Sequence, residues 1–413
     1  MPGLAPRYHV DVAVVGHGLA SLLCAALLEA RGVRVGLVGD PLSALSYHMV
    51  GFELPKRSWR GRLASGELLA AFYQELGLQL AYRRLSAAPA VHLCAAHGSW
   101  PFDANENFSS FASEHHLRVF LPKLGAAMSG AVVSNSSLAL DSYLEAHRRS
   151  ERDGVFDLQA IGRELFQLIK SSSVHYLQTA GMPKLSRDLR AGPIDLQDSR
   201  TGQSLKADVV LWEGDARAMR AISKDPVCRE LIRTPRRRFT MALVTRGAGA
   251  PRDEEYWIAP PDAGPLIIAE AYAAADGTRS WLVSSDAPAD QLQVRGRLLA
   301  AIQNEVLADD EEILLADSVF DGQPLQLLEQ GSLRSIERAD LRAHGLRVEA
   351  EQADPKYLIA PYARPPEQAH PSTLKDLPVH FIGPAMYPER GIDGLLRSVA
   401  DVVERFAPKK KSR

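Results

Sequence analysis

Four apolar residues, Val12 to Val15, run without a polar break into Gly16. A run that does not alternate is the mark of a strand covered on both faces, as in a parallel sheet. Residues 9–16 are therefore predicted as a buried strand. Leu19 to Ala30 is apolar nearly all round, which predicts a buried helix, and Gly32 supplies its stop signal. Val33 to Val38 is a second short apolar run. Strand, helix and strand within about 30 residues make a βαβ unit with a right-handed crossover.

Beyond Asp40 the pattern changes. "GELLAAFYQELGLQL" predicts a helix between residues 58 and 80, and "AVHLCA" a short strand. "LQAIGRELFQLIK" predicts a helix, followed by a strand at "VHYLQT". "PIDLQDS" and "SLKADVVLWEGD", separated by Thr201-Gly202, predict an antiparallel meander that leads into a buried strand at Ala207 to Trp212. "FTMALVTRG", "EYWIAP", "PLIIAEAYA", "SWLVSSD" and "EILLADSVF" are strand candidates around one helix at about 288–307, which fits a mixed sheet with a covering helix. "PVHFIG" is a last strand. In the helix "GIDGLLRSVADVVERFA" the apolar positions Ile392, Leu395, Leu396, Val399, Val402, Val403 and Phe406 fall at three- and four-residue steps.

The chain has 413 residues, enough for two or three structural units. Its net charge of -2 gives no overall pull toward nucleic acid, and the basic tail "PKKKSR" reads as solvated. Three scattered cysteines, Cys24, Cys94 and Cys228, have neither disulfide-framework nor metal-ligand spacing, which fits a reducing compartment. The sequence shows no secretory signal, and no stretch reaches the roughly 18–20 apolar residues of a membrane span. A cytoplasmic protein is the expectation.

Gly16-His17-Gly18 carries the first candidate chemistry. One glycine permits the sharp turn from strand to helix, and the next lets a pyrophosphate approach the backbone. The helix N-terminus then offers free N–H groups and the positive end of its dipole. Ser21 stands at the third fingerprint position, where glycine or alanine is usual. Leu19 and Ala20 lie between them in the first turn, and no acidic residue is there to repel an anion. Asp40, ending the second strand, is placed to bind ribose hydroxyls. His17 either contacts phosphate or faces solvent. The competing reading is a unit of the same shape kept for packing alone.

These residues bring a resemblance with them. "DVAVVGHGLASLLCAALLEARGVRVGLVGD" resembles the N-terminal FAD-binding segment of the phytoene desaturase and amine oxidase flavoproteins, a superfamily that also holds the Rab GDP-dissociation inhibitors. "SVHYLQT…SLKADVVLWEGDA" resembles its middle section. "VHFIGPAMYPERGIDGLLRSVADVVERFA" resembles its C-terminal flavin-contacting strand, loop and helix, with Gly383, Gly391, Ile392 and Gly394 where the backbone would pass close to the flavin. The resemblance implies an α/β protein: a Rossmann-like FAD/NAD(P)-binding domain of residues 1–57, 151–234 and 351–413, interrupted by a mixed-sheet substrate or partner domain of residues 58–150 and 235–350. There are departures. No paired glycine follows Asp40, where Lys56 or Arg57 is the candidate positive charge. Gly383-Pro384 replaces the usual Gly-Asp, and Ser398-Val399 the usual Ser-Gly. The implied cofactor is FAD, held more weakly than is usual for the family or lost.

No nucleophile elbow and no zinc-protease helix are present. Glu114, His115 and His116 lack a geometry for metal, because adjacent residues point different ways. Tyr47 and His48 and the run Arg236 to Arg238 read as packing or surface features, and Tyr256 and Trp257, beside the acidic Glu254 and Glu255, as part of a half-buried strand. Two functions follow from the resemblance. One is an FAD-dependent oxidoreductase that oxidises or desaturates a small, apolar or lipid-like substrate by hydride transfer to flavin. The other is a non-catalytic descendant of the same fold that binds a protein or lipid partner.

Overall fold

The computed structural model describes residues 7–16, 18–39, 46–55, 60–61, 63–80, 82–84, 91–95, 98–102, 154–179, 183–186, 192–198, 200–213, 223–224, 237–259, 266–287, 292–317, 325–329, 331–337, 374, 377–383 and 391–408. They form a mixed α/β protein built on two large sheets.

The first sheet has seven strands: β1 (Arg7–Gly16), β2 (Val35–Val38), β3 (His175–Leu177), β4 (Lys184–Ser186), β5 (Ile194–Gln197), β6 (Ser204–Glu213) and β7 (Val379–Phe381). Their order is β3-β2-β1-β6-β5-β4, with β7 also on β6. The pairs β3–β2, β2–β1, β1–β6 and β6–β7 are parallel, while β6–β5 and β5–β4 are antiparallel. The far edge of β6 is thus shared. Its first half takes the meander strand β5, and its second half takes β7, which arrives from the other end of the chain.

Four helices cover one face: α1 (Leu19–Ala30), α2 (Leu63–Glu75), α3 (Leu158–Ser171) and α5 (Gly391–Phe406), while α4 (Leu292–Glu305) belongs to the second sheet. Val12 and Val14 of β1 join Leu22, Leu27, Phe72, Tyr73, Leu165, Ile169, Leu396 and Val403 in one core. Ala13 and Val15 face the opposite core, with Leu205, Trp212, Val379 and Phe381. Both faces of β1 are therefore dry, which is why its sequence does not alternate. α1 sits in the middle of this helical layer, and its residues Leu19 to Leu28 are all buried. A helix apolar on every side needs such a position. α2 was expected in the second unit from its place in the chain; instead it packs its Leu69, Phe72 and Tyr73 into this first core.

The second sheet has nine strands, in the order 332–336, 325–329, 312–317, 237–246, 278–287, 267–273, 254–258, 91–95 and 98–102. All its pairings are antiparallel except that of Val91–Ala95 with Glu254–Ile258. α4 (Leu292–Glu305) covers one face through Leu298 and Ile302, which meet Met241, Leu243, Trp281 and Val283. On the other face lies the hairpin of Ser46–Met49 and Phe52–Pro55, with Met49 and Leu54 against Ala242, Val244 and Leu315. The hairpin directly follows the βαβ unit in sequence, yet its apolar side chains belong to the second sheet. The Ser280 hydroxyl adds a hydrogen bond to the Glu53 carbonyl at 3.1 Å. Among the described residues no helix is long and apolar enough to cross a membrane.

Candidate functional site

β1 and β6 run parallel in a register that sets Gly16 beside Glu213. Both strands end at the same level, so whatever side chain ends β6 lies over the turn into α1. In open α/β sheets the crevice beyond the carboxyl ends of the strands is where ligands bind. Here that place is taken by the Glu213 carboxylate.

Gly18 is the N-cap of α1, with extended backbone (φ -123°, ψ -179°) and no side chain with which to cap. The first turns of such a helix hold N–H groups that need acceptors. One carboxylate oxygen of Glu213 supplies the acceptor: the Gly18 N–H reaches it at 3.2 Å, the Ser21 N–H at 2.9 Å and the Ser21 hydroxyl at 2.6 Å. The first turn of α1 carries no acidic residue of its own, so the negative charge at this dipole end comes from the neighbouring strand. The other carboxylate oxygen is buried without a hydrogen-bond partner among the described residues.

Three glycines pack against Glu213, two of them, Gly18 and Gly383, against the part beyond its Cβ. A Cβ on Gly18 would stand 2.3 Å from Glu213 Oε1. One on Gly16 would stand 2.2 Å from Ser21 Oγ and 2.6 Å from Glu213 Cβ. One on Gly383 would stand 3.1 Å from Glu213 Cγ, and Gly383 also has φ +91°, a conformation that favours glycine. Gly383 follows β7 and donates its N–H to Ser398 Oγ of α5 at 2.8 Å. The Cys24 thiol, fully buried in α1, is pushed well above its usual range by burial and then by the Glu213 charge, which leaves it inert.

The structure thus brings together Gly16, Gly18, Ser21 and Gly383 of the residues expected at a dinucleotide site. Leu19 and Ala20 are completely buried in α1, so their side chains serve packing. Gly391, Ile392 and Gly394 lie in the first turn of α5. His17, Asp40, Lys56, Arg57 and Pro384 lie outside the described residues, as do Glu114, His115, His116, Cys228 and Arg236. Tyr47 and His48 sit in the hairpin, and Arg237 and Arg238 in a strand of the second sheet.

The central residue of the site, Glu213, was not among those expected. Its signal was present: a carboxylate at the carboxyl end of the buried strand "ADVVLWE". Reading it required knowing that this strand lies next to β1 and not farther along the sheet.

A dinucleotide pyrophosphate needs the N–H groups at the start of α1 and the space in front of Gly16 and Gly18. Both are already used by Glu213, and a carboxylate there would repel the phosphates at close range. With Glu213 in this position the residues present do not fit FAD.

The second sheet holds other polar side chains, mostly engaged. The Arg279 guanidinium pairs with Glu311 and with Glu254 (3.0 Å to the latter) and lies over the Trp281 ring at 4.7 Å. Trp281 Nε1 donates to Thr245 at 2.8 Å. Tyr256 and Trp257, expected to be half-buried, are both buried, with their ring donors on Glu254 and Glu255. The Cys94 thiol is pushed up to about 11, chiefly by burial. Among the described residues no group of three or more His, Cys, Asp or Glu is placed to hold a metal ion.

Solved structures with the same fold include an oxidoreductase from Methanosarcina mazei, 12% identical with a TM-score of 0.63, matched over 95% of this chain and 100% of that one. A protein from Pyrococcus furiosus is 14% identical with a TM-score of 0.60, matched over 99% of both chains. Wild-type putrescine oxidase bound to putrescine is 12% identical with a TM-score of 0.56, matched over 97% of this chain and 99% of that one. At these identities the likeness is one of fold, and it runs nearly end to end. No known family profile matches the sequence, and no curated protein matches it.

Proposed function

We propose that this chain is a non-catalytic protein on a flavin-oxidoreductase fold, its dinucleotide cradle closed from within, which binds a protein or lipid partner and does not work as a flavin enzyme. One observation carries this reading: the Glu213 carboxylate holds the Gly18 and Ser21 N–H groups that a pyrophosphate would need. The lost Gly-Asp at Gly383-Pro384 and the missing paired glycine after Asp40 point the same way. The test is the flavin content of the purified protein and its uptake of added FAD by calorimetry. A colourless protein that takes up no FAD is the expected result. A yellow protein that keeps its FAD through dialysis would overturn the reading.

A second reading has its own support. The glycines at Gly16, Gly18 and Gly383 converge on one place, and the fold matches oxidoreductases along their length. Those observations favour an FAD-dependent oxidoreductase acting on a small or apolar substrate, provided Glu213 leaves the cradle. The same flavin measurement separates the two.

A further inference from the structure

We infer that Glu213 is a single removable block, and that replacing it uncovers a site for the ADP half of a dinucleotide. The inference rests on the closed-cradle reading above and adds that one side chain is responsible for the closure. The walls of the space it fills are glycine. The absent Cβ atoms of Gly18 and Gly383 point at the part of the Glu213 side chain beyond Cβ, 2.3 Å from Oε1 and 3.1 Å from Cγ, while that of Gly16 lies 2.6 Å from the Glu213 Cβ itself. Removing the side chain beyond Cβ therefore leaves a backbone-lined hollow. The groups freed by its removal are the Gly18 N–H, the Ser21 N–H and the Ser21 hydroxyl. Three donors around one position at a helix N-terminus match the oxygens of a phosphate as well as those of a carboxylate. The remaining Glu213 oxygen has no hydrogen-bond partner, so its loss orphans nothing further. The first turn of α1 contains no acidic residue that could replace the lost charge.

The experiment titrates FAD, NAD⁺ and ADP into the wild-type chain, Glu213→Ala and Glu213→Ser by calorimetry, with a thermal melt of each protein alone and with ligand. No measurable binding is expected for the wild type. Both variants should gain binding of at least one of the three, tighter than wild type by about tenfold or more, with a raised melting temperature in its presence. The serine variant keeps a small polar group at the end of β6 and carries the test if the alanine variant does not fold. Folded variants that bind no better than the wild type would overturn the inference and leave the closed-cradle reading standing. Wild-type binding as tight as that of the variants would overturn both. Loss of folding in both variants would overturn the inference too, because Glu213 would then be a structural necessity and not a removable block.

Discussion

The Ser21 hydroxyl and the Glu213 carboxylate meet at 2.6 Å, although 192 residues of chain separate them. Serine at this position does more than stay small enough for α1 to approach β1. It donates twice to the same oxygen, through its main chain and its hydroxyl. Ser21→Ala keeps the backbone bond and removes the other. A hydrogen bond to a charged group is worth about 1.5–3 kcal/mol, so a stability loss of that size is expected. Urea unfolding should show it as a lower midpoint with an unchanged slope. No change in midpoint would mean that the side-chain bond adds nothing over solvent.

Two glycines predict opposite signs for the same substitution. Gly16→Ala puts a methyl group 2.2 Å from Ser21 Oγ and 2.6 Å from Glu213 Cβ, and neither atom is the far end of a long flexible chain. Overpacking of this kind costs about 1–3 kcal/mol. Gly296, inside α4, has nothing within 4 Å of its Cβ position and no positive φ. Gly296→Ala should stabilise the protein by about 0.5–1 kcal/mol through helix propensity and a less disordered unfolded chain. Thermal melts of the two variants should move in opposite directions. A Gly16→Ala melt at or above that of the wild type would contradict the packing described at Gly16, and a lowered melt of Gly296→Ala would contradict the open space at Gly296.

His380 makes stability depend on pH. It lies buried in β7 with its ring edge-on to Phe406, and burial, then the nearby Arg405 charge, lowers its pKa from 6.5 to about 4. The unfolded chain therefore takes up the proton first as pH falls. Stability from the neutral ring is complete above pH 6.5, is lost between 6.5 and about 4, and falls no further below. Each pKa unit corresponds to about 1.4 kcal/mol, so the loss over this window should be about 2–3 kcal/mol. The difference in stability between pH 7 and pH 4.5 should shrink by about that much in His380→Phe. An equal pH dependence in both proteins would remove His380 as the cause.

Local pattern made β1, α1, β2 and α5 legible. Continuous apolar runs announced strands dry on both faces, and Leu395, Leu396, Val399, Val402 and Val403 of α5 are all buried as their spacing requires. What local pattern could not convey is which strand lies beside which. The hairpin at residues 46–55 directly follows the first unit in sequence, yet its Met49 and Leu54 pack on the second sheet. α2 shows the reverse case. Glu213 is the costliest instance, since a carboxylate ending a strand looks like ordinary surface until that strand is known to be the parallel neighbour of β1.

Arg31 fastens the far end of the same helix. It stands at the C-cap of α1, where a cation suits the negative end of the dipole. Its Nε donates to Glu75 of α2 at 2.6 Å and its Nη2 to the same carboxylate at 3.2 Å. Its Nη1 reaches the Ala407 carbonyl just past α5 at 2.6 Å, with Glu404 at 3.3 Å. One planar fork thus ties three helices together, and its side chain is only 12% exposed. Arg31→Met keeps much of the stem but removes the bonds to the Glu75 carboxylate and the Ala407 carbonyl, and a loss of about 2–4 kcal/mol is expected. Arg31→Lys should recover little of it, because a single ammonium cannot bond the carboxylate twice and reach the carbonyl as well. A double-mutant cycle with Glu75→Ala should give a coupling of about 1–3 kcal/mol. A coupling near zero, or full rescue by lysine, would show that the charge alone matters and that the fork does not hold the helices.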